Sequence, residues 1–265
     1  MKKEGNLLKM STDIADTATY YLNIGDDKVY MNEWIGKEIH LKYHHKINCI
    51  RCGRKTSKSF FQGYCYPCFI SAPETDECIL HPEKCQAHEG ISRDMEWSKE
   101  HCLIDHYVYL AVSSGLKVGV TRHTQIPTRW IDQGAHQAVR LAKTPNRYLA
   151  GLVEVDLKQF LADKTNWQQM LKNQVKRPVD LLEEKQKAAK NLRSDLQQYL
   201  IEDDTIQEIQ YPVEQFPTKV KSISFDKVDE YKGVLKGIKG QYLIFDGGQV
   251  FNVRKHNGYL AELQG

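Results

Sequence analysis

Two pairs of cysteines carry the most specific chemistry in this chain. Cys49-x2-Cys52 and Cys65-x2-Cys68 are separated by twelve residues. Each CxxC presents two sulfurs from one tight knuckle, and two knuckles complete a tetrahedron around Zn²⁺. Gly53 follows the first pair, where a knuckle often needs a residue with permissive φ. Four thiolates leave no open position on the ion, so this zinc is expected to be a structural staple. Cys78-x2-His81-x3-Cys85-x2-His88 is a second candidate, of mixed Cys₂His₂ type. The competing reading of that segment is a loop with two free thiols and two surface histidines. Cys102 lies between His101 and His106. Nothing nearby supplies an oxyanion hole or an orienting group, so it is expected to be a buried free thiol.

Several other chemistries lack their supports. A zinc deaminase needs His-x-Glu followed by Pro-Cys-x-x-Cys, whereas Pro67 lies inside the second CxxC and no His-x-Glu precedes it. There is no GxxxxGK[ST], GxGxxG or GxSxG, which removes the usual basis for ATP hydrolysis, dinucleotide chemistry and α/β-hydrolase chemistry. No apolar run approaches the roughly 20 residues that span a bilayer, so no membrane partner is expected. The first residues, MKKEGNLLKMSTD, place two lysines before no apolar stretch; the expectation is no secretory signal, a cytoplasmic protein and reduced cysteines.

Charge is unevenly spread. The chain has 265 residues and a formal net charge of only +3. Yet Leu41 to Pro73 has no acid against six bases, Lys42, Lys46, Arg51, Arg54, Lys55 and Lys58. Gly115 to Arg147 has six more, Lys117, Arg122, Arg129, Arg140, Lys143 and Arg147, with Asp132 as the sole acid. Glu74 to Glu100, between them, has eight acids and three bases. Two basic blocks fit an anionic polymer better than a uniformly mixed surface does, so RNA or DNA is the expected partner. Lys42, Arg54, Lys55, Arg122, Arg140, Lys143 and Arg147 are the candidate contacts.

The second basic block holds a further constellation. Tyr107-Val-Tyr109 opens an apolar strand; Lys117-Val-Gly119-Val-Thr-Arg122 follows, then Arg129, then Ala150-Gly-Leu-Val-Glu154. This stretch of about 55 residues resembles the GIY-YIG nuclease superfamily. There, two short strands carry the two tripeptides, a helix carries an arginine, and a later helix carries a single metal-binding glutamate. The resemblance places Tyr109 at the end of the first tripeptide and Gly119 at the end of the second, with Arg129 as the helix arginine and Glu154 as the glutamate. Lys117 departs from the pattern by standing where the second tyrosine would be, and the connection from Leu110 to Leu116 is short. As a whole the chain is also similar to an uncharacterised prokaryotic family that joins a zinc-ribbon segment to such a core, through KVGVTR and RWIDQGA; that likeness implies no particular activity.

The residue types support the same chemistry. Phosphodiester hydrolysis needs a positive group on the phosphate, a metal at the leaving oxygen and a base for water. Arg129 offers a bidentate fork. Glu154 offers a carboxylate for one Mg²⁺ or Mn²⁺. Tyr109 is placed to orient or deprotonate water, and Lys117 to replace the missing tyrosine. His136, seven residues past Arg129, would share its helical face. The expected function is a divalent-metal-dependent endonuclease with structural zinc. The alternative is a non-catalytic zinc-containing RNA- or DNA-binding protein, which Lys117 favours. A zinc-dependent adaptor for other proteins would not need the second basic block.

Around these residues the chain reads as α+β. TYYLNI, KVYMNEWI and KEIHLKY suggest N-terminal strands over 1–47, with GDD as a tight turn. Residues 48–101 form the zinc-binding segment. Residues 102–175 form the small mixed GIY-YIG-like core: two strands joined at Ser113-Ser114-Gly115, a helix over Ile126–Leu141, another over Arg147–Leu161, and a short one opening at Asn166-Trp167. Residues 176–204 hold a long amphipathic helix from Pro178 to Leu200, with Leu181, Lys185, Ala188, Leu192, Leu196 and Tyr199 on one face. Residues 205–265 hold five glycine-punctuated strands, expected to form a small barrel-like unit completed by the N-terminal strands.

Overall fold

The structure, a computed structural model, describes residues 1–162, 165–174 and 179–265. Pro178, the expected start of the amphipathic helix, and the 175/176 boundary lie outside them. Strands and helices mix as the α+β expectation requires. The strands are β1 (Lys2–Ile14), β2 (Ala18–Ile24), β3 (Asp27–Tyr30), β4 (Glu38–Asn48), β5 (Lys55–Thr56), β6 (His106–Val112), β7 (Leu116–Arg122), β8 (Gln137–Thr144), β9 (Gln207–Glu208), β10 (Lys221–Ile223), β11 (Glu230–Lys239), β12 (Tyr242–Phe245), β13 (Gln249–Asn252) and β14 (Tyr259–Gln264). The helices are α1 (Tyr66–Ser71), α2 (Met95–His101), α3 (Thr128–Asp132), α4 (Arg147–Leu157), α5 (Trp167–Leu171) and α6 (Leu181–Asn191). No helix among the described residues is long and apolar enough to cross a membrane.

Two compact units result. The first comprises Met1–Ile70, Leu171–Asn173 and Gln210–Gly265. Its sheet runs β10-β13-β12-β11-β4-β14-β1-β2-β3, with β5 pairing β4. N-terminal and C-terminal strands therefore do share one sheet, through β11–β4, β4–β14 and β14–β1. The barrel expectation is corrected: among the described residues the path ends at β10 and β3, which do not pair. Both ends are short strands of three and four residues, too little backbone to bridge a closure. β1 makes the turn of the sheet. Lys2–Asn6 pair with β14, and Leu7–Ile14 pair with β2 across an irregularity between Leu8 and Ser11. Alternation along β2, with Ala18, Tyr20, Leu22 and Ile24 buried, turns one face inward, and Leu7, Met10 and Leu41 of the same unit are buried as well.

The second unit comprises Ser71–Met170 and Gln174–Ile209. Its sheet is β7-β6-β8-β9, antiparallel throughout. Val108, Leu110, Val118, Val139 and Leu141 share a core with Ala150, Val153 and Leu157 of α4 and Leu181 and Ala188 of α6. The helix expected over Ile126–Leu141 is corrected. α3 stops at Asp132, Gly134 takes φ +66, and β8 begins at Gln137. A side chain at Gly134 would be strained in that conformation and its Cβ would lie 2.4 Å from Met170 Sδ, so glycine suits the stop. The long helix is also shorter than expected. α6 ends at Asn191 and a 3₁₀ segment covers Ser194–Tyr199. There Asp156 Oδ2 accepts from Arg193 N at 2.9 Å and Gln197 Nε2 donates to Leu192 O at 2.9 Å, satisfying the broken ladder. Leu192 and Leu196 stay buried across that break. Lys185 is buried on the apolar face as its position demands, its ammonium donating to Asp203 O and Asp204 Oδ1.

Gly151, inside α4, is where the loop carrying Pro82 and Glu83 meets the helix: an added Cβ would stand 2.1 Å from Glu83 N. Glycine costs a helix interior up to about 1 kcal/mol against alanine, so Gly151→Ala would stabilise α4 if the loop were elsewhere. The expected result is the reverse, a loss of about 1–3 kcal/mol from overpacking against backbone, read as a lowered midpoint in thermal unfolding. A raised midpoint would mean that the loop does not pack there.

Candidate functional site

In the first unit, each CxxC closes a short hairpin. Cys49 follows β4, whose last residues Ile47 and Asn48 pair with Thr56 and Lys55 of β5. Gly53 has φ +70, and its N–H donates to Cys49 O at 2.9 Å, as a knuckle requires. Cys65 follows the Phe60–Tyr64 bridge, and Cys68 lies on α1. One ligand atom from each of Cys49, Cys52, Cys65 and Cys68 lies within 4.8 Å of all the others. Cys52 Sγ and Cys65 Sγ are 3.8 Å apart, which is about the edge of a tetrahedron with zinc–sulfur bonds of about 2.3 Å. Burial would raise the Cys49 thiol, but backbone N–H groups of Cys52, Cys65 and Arg51 outweigh it and hold it at about 6. Burial and the neighbouring thiols push Cys68 up to about 12. One thiolate thus resists the ionisation of its neighbours, a repulsion that a dication removes. The set is compatible with zinc.

In the second unit, Cys78, Cys85 and Cys102 form another group within the same 4.8 Å limit, all three buried. The expected Cys₂His₂ set is not assembled. His81 is half-exposed with its Nδ1 3.4 Å from Glu83 Oε1, and His88 stacks on Tyr148 with ring centroids 4.4 Å apart. Cys102 takes their place; it is buried as expected but has thiol partners. The sequence hid this because Cys102 stands seventeen residues beyond Cys85, outside any short motif. Arg147 lies behind it. Its guanidinium donates to Cys78 O and His101 O, and its N–H donates to Cys102 O at 2.8 Å. Hydrogen bonds from the Cys78 and Cys85 thiols, with Arg147 adding charge, hold Cys102 well below the ordinary thiol range. Those same bonds raise Cys78 and Cys85.

The constellation from Tyr109 to Glu154 comes together in the second unit. Tyr109 on β6 pairs with Gly119 on β7, and its phenol crosses the space a side chain there would fill: an added Cβ at Gly119 would be 2.6 Å from Tyr109 Oη. Strand alternation puts Lys117 on the same face. The Tyr109 hydroxyl donates to Gln133 Oε1 at 2.9 Å, and Lys117 Nζ donates to the same oxygen and to Thr165 Oγ1 at 2.9 Å. Gln133 follows Arg129 by four residues at the end of α3, one turn on. Burial raises the Tyr109 hydroxyl above the ordinary tyrosine range, opposed by the charge and hydrogen bond of Arg129 and reinforced by the charge of Glu154. Arg129 and Glu154 therefore both act on that hydroxyl. Glu154, buried on α4, also pairs with Lys158 Nζ at 3.1 Å. Gln133, Thr165 and Lys158 were not anticipated; only Gln133 had a signal, its spacing from Arg129. His136 does not share a helix with Arg129, because α3 ends before it, and its N–H donates to Val112 O.

The expected phosphate contacts divide. Lys42, Arg54 and Lys55 are exposed on the first unit. Of those on the second, Arg140 pairs with Asp203 and lies over the Tyr107 ring at 5.3 Å. Lys143 pairs with Asp105 at 2.7 Å. Burial lowers Arg122, and the charge of Arg147 adds to that. Arg147 is itself 8% exposed and committed to the thiol cluster, so it is not a surface contact.

A family model described as a protein of unknown function, DUF2797, matches residues 36–261. No curated protein and no solved structure matches the chain.

The four-thiol geometry sets an expected metal content. Protein purified without added metal should carry at least one zinc per chain by elemental analysis. Less than about half an equivalent, with the four thiols titrating freely in the native state, would exclude the site.

Proposed function

We propose that this chain, which belongs to the DUF2797 family, is a zinc-containing protein that binds nucleic acid and cleaves its phosphodiester backbone in its second unit. The observation that carries the reading is the gathering of Tyr109, Lys117, Arg129 and Glu154, from β6, β7, α3 and α4, around one buried polar cluster. Its support from topology is the run strand, strand, helix, then a later helix, with Tyr109 opposite Gly119; this is the arrangement that the GIY-YIG likeness calls for. The four-thiol knuckles of the first unit correspond to the zinc ribbon of that reading, with Lys42, Arg54 and Lys55 exposed beside them in sequence.

The residues then take these roles. Arg129 binds the scissile phosphate through its fork. Tyr109, a phenol that is protonated at neutral pH and that burial raises further, donates and orients; it does not act as the base. Lys117 adds positive charge where the phosphate would sit. Glu154 would hold the divalent cation, displacing Lys158, with water and phosphate completing the shell. Mg²⁺ or Mn²⁺ bound there would supply charge stabilisation at the leaving oxygen.

A specific observation favours the second reading, binding without cleavage. Tyr109 and Lys117 are both donors to Gln133, and Lys158 occupies Glu154, so the resting cluster offers cations for a phosphate but no free base.

The deciding experiment is a time course on mixed RNA and DNA with Mg²⁺ or Mn²⁺. Glu154→Gln should cut the cleavage rate by orders of magnitude while affinity stays level or rises slightly, since a negative charge has left a basic site. Arg129→Ala should lower both cleavage and affinity, and reduce the salt slope by about one contact. Absent wild-type cleavage with intact salt-dependent binding selects the second reading. Cleavage that survives Glu154→Gln removes the assignment, and absent binding removes both.

A further inference from the structure

We propose that Cys78, Cys85 and Cys102 form an open three-thiolate zinc centre whose fourth position takes an exchangeable neutral donor from the cavity beside it. This does not rest on the nuclease reading. The sulfurs lie within 4.8 Å of one another. That fits one ion with bonds of about 2.3 Å, which sets sulfurs roughly 3.8–4.0 Å apart; a cubane iron–sulfur cluster would stand between them and force them wider.

The ligand set stops at three. Among the described residues no histidine or carboxylate joins the group. His81 and His88, in the same loop, are held by Glu83 and Tyr148, and His101, next to Cys102, stacks on Trp97 with its Nδ1 2.9 Å from Trp97 O. What lies on the fourth side is space. A cavity of about 280 Å³ is lined by all three cysteines together with Trp97, Ser98 and Arg93. Zinc bound by three protein ligands and open to a cavity keeps an exchangeable position, unlike the four-thiol site.

Charge decides what the position accepts. Three thiolates and Zn²⁺ leave one net negative charge in a buried site, which is costly unless compensated. Arg147 supplies the compensation. It is 8% exposed, its terminal nitrogens are anchored on the carbonyls of Cys78 and His101, and its Nε finds no oxygen acceptor. The guanidinium is thus fixed against the thiols and not against a carboxylate. Arg93, at the cavity wall, is paired with Asp76 at 3.1 Å. With the centre neutral, water or an imidazole-type nitrogen completes it without a new charge, whereas a fourth thiolate would restore the deficit. The cavity has room for a donor of that size.

The test uses the full chain. Wild type should hold about two zinc per chain, Cys102→Ala about one, and the double variant His81→Ala/His88→Ala about two. After replacement by Co²⁺, imidazole should shift the visible ligand-field bands of wild type saturably, and should leave those of Cys102→Ala, which retains only the closed site, unchanged. One zinc in wild type, or loss of one in the histidine variant, overturns the ligand set. Wild-type bands indifferent to imidazole overturn the open position. Should Cys102→Ala fail to fold, the wild-type stoichiometry, the histidine variant and the wild-type titration decide alone.

Discussion

The second unit is organised by the approach of the Pro82–Glu83 backbone to Gly151, because it presses a loop with little regular structure against the one helix that serves two polar clusters. α4 begins at Arg147, whose guanidinium faces the thiols, and carries Glu154 two turns later. Its eleven residues span about 16 Å, so the two clusters hang from one short rigid rod. Asn146 caps it, Oδ1 accepting from Leu149 N at 2.9 Å. Ala150, Val153 and Leu157 fix its rotation against β6 and β8. The placement of Glu154 therefore depends on how firmly the thiol loop is held, and zinc on those thiols would help to hold it, since the backbone hydrogen bonds of the successive single-turn 3₁₀ segments over Pro73–Glu89 are local ones, reaching back only three or four residues.

The same helix shows why a basic run cannot be read as a basic surface. Six cations between Gly115 and Arg147 look alike in sequence, yet the fold gives them different tasks. Lys117 and Arg147 point inward to polar clusters, while Arg140 and Lys143 are matched by Asp203 and Asp105. Burying a lysine or arginine is costly unless it is bonded, and here the Lys117 ammonium and the terminal nitrogens of Arg147 have acceptors. Counterion release by such residues would be small. In the proposed reading, phosphate binding in this unit would fall to the cluster around Arg129 more than to the block as a whole.

What could be read in the sequence were features whose physics is local. Tight turns at Gly25, Gly240 and Gly258 take positive φ where the glycines stand between strand-like runs. The Ser113–Gly115 hairpin, the C-terminal strands and the α4 region follow from periodicity and punctuation. β1 was missed because KKEGNLLKMSTDI mixes charges with few branched residues; tertiary pairing with β14 and β2 makes it a strand. β8 reads as helix because Ala138, Val139, Leu141 and Ala142 fit a helical stripe as well as a buried strand, and a short apolar run does not distinguish the two. The four-cysteine site was legible from spacing alone. The third thiol of the other group was not, since no local rule links Cys102 to Cys78.

The polar cluster leaves one last step. Lys117 bonds Gln133, Arg129 acts on the Tyr109 hydroxyl, and Lys158 pairs with Glu154. In the proposed reading, an anion bound there would meet a Lys117 ammonium already ordered by its bonds to Gln133 and Thr165. A tyrosine at position 117 would bring a hydroxyl but no charge. In the proposed reading, lysine there would exchange a group able to activate water for a cation able to bind phosphate, moving the balance of the cluster from proton transfer toward recognition. In the proposed nuclease reading, neither Tyr109 nor Lys117 is a ready base for water, because both already donate to Gln133.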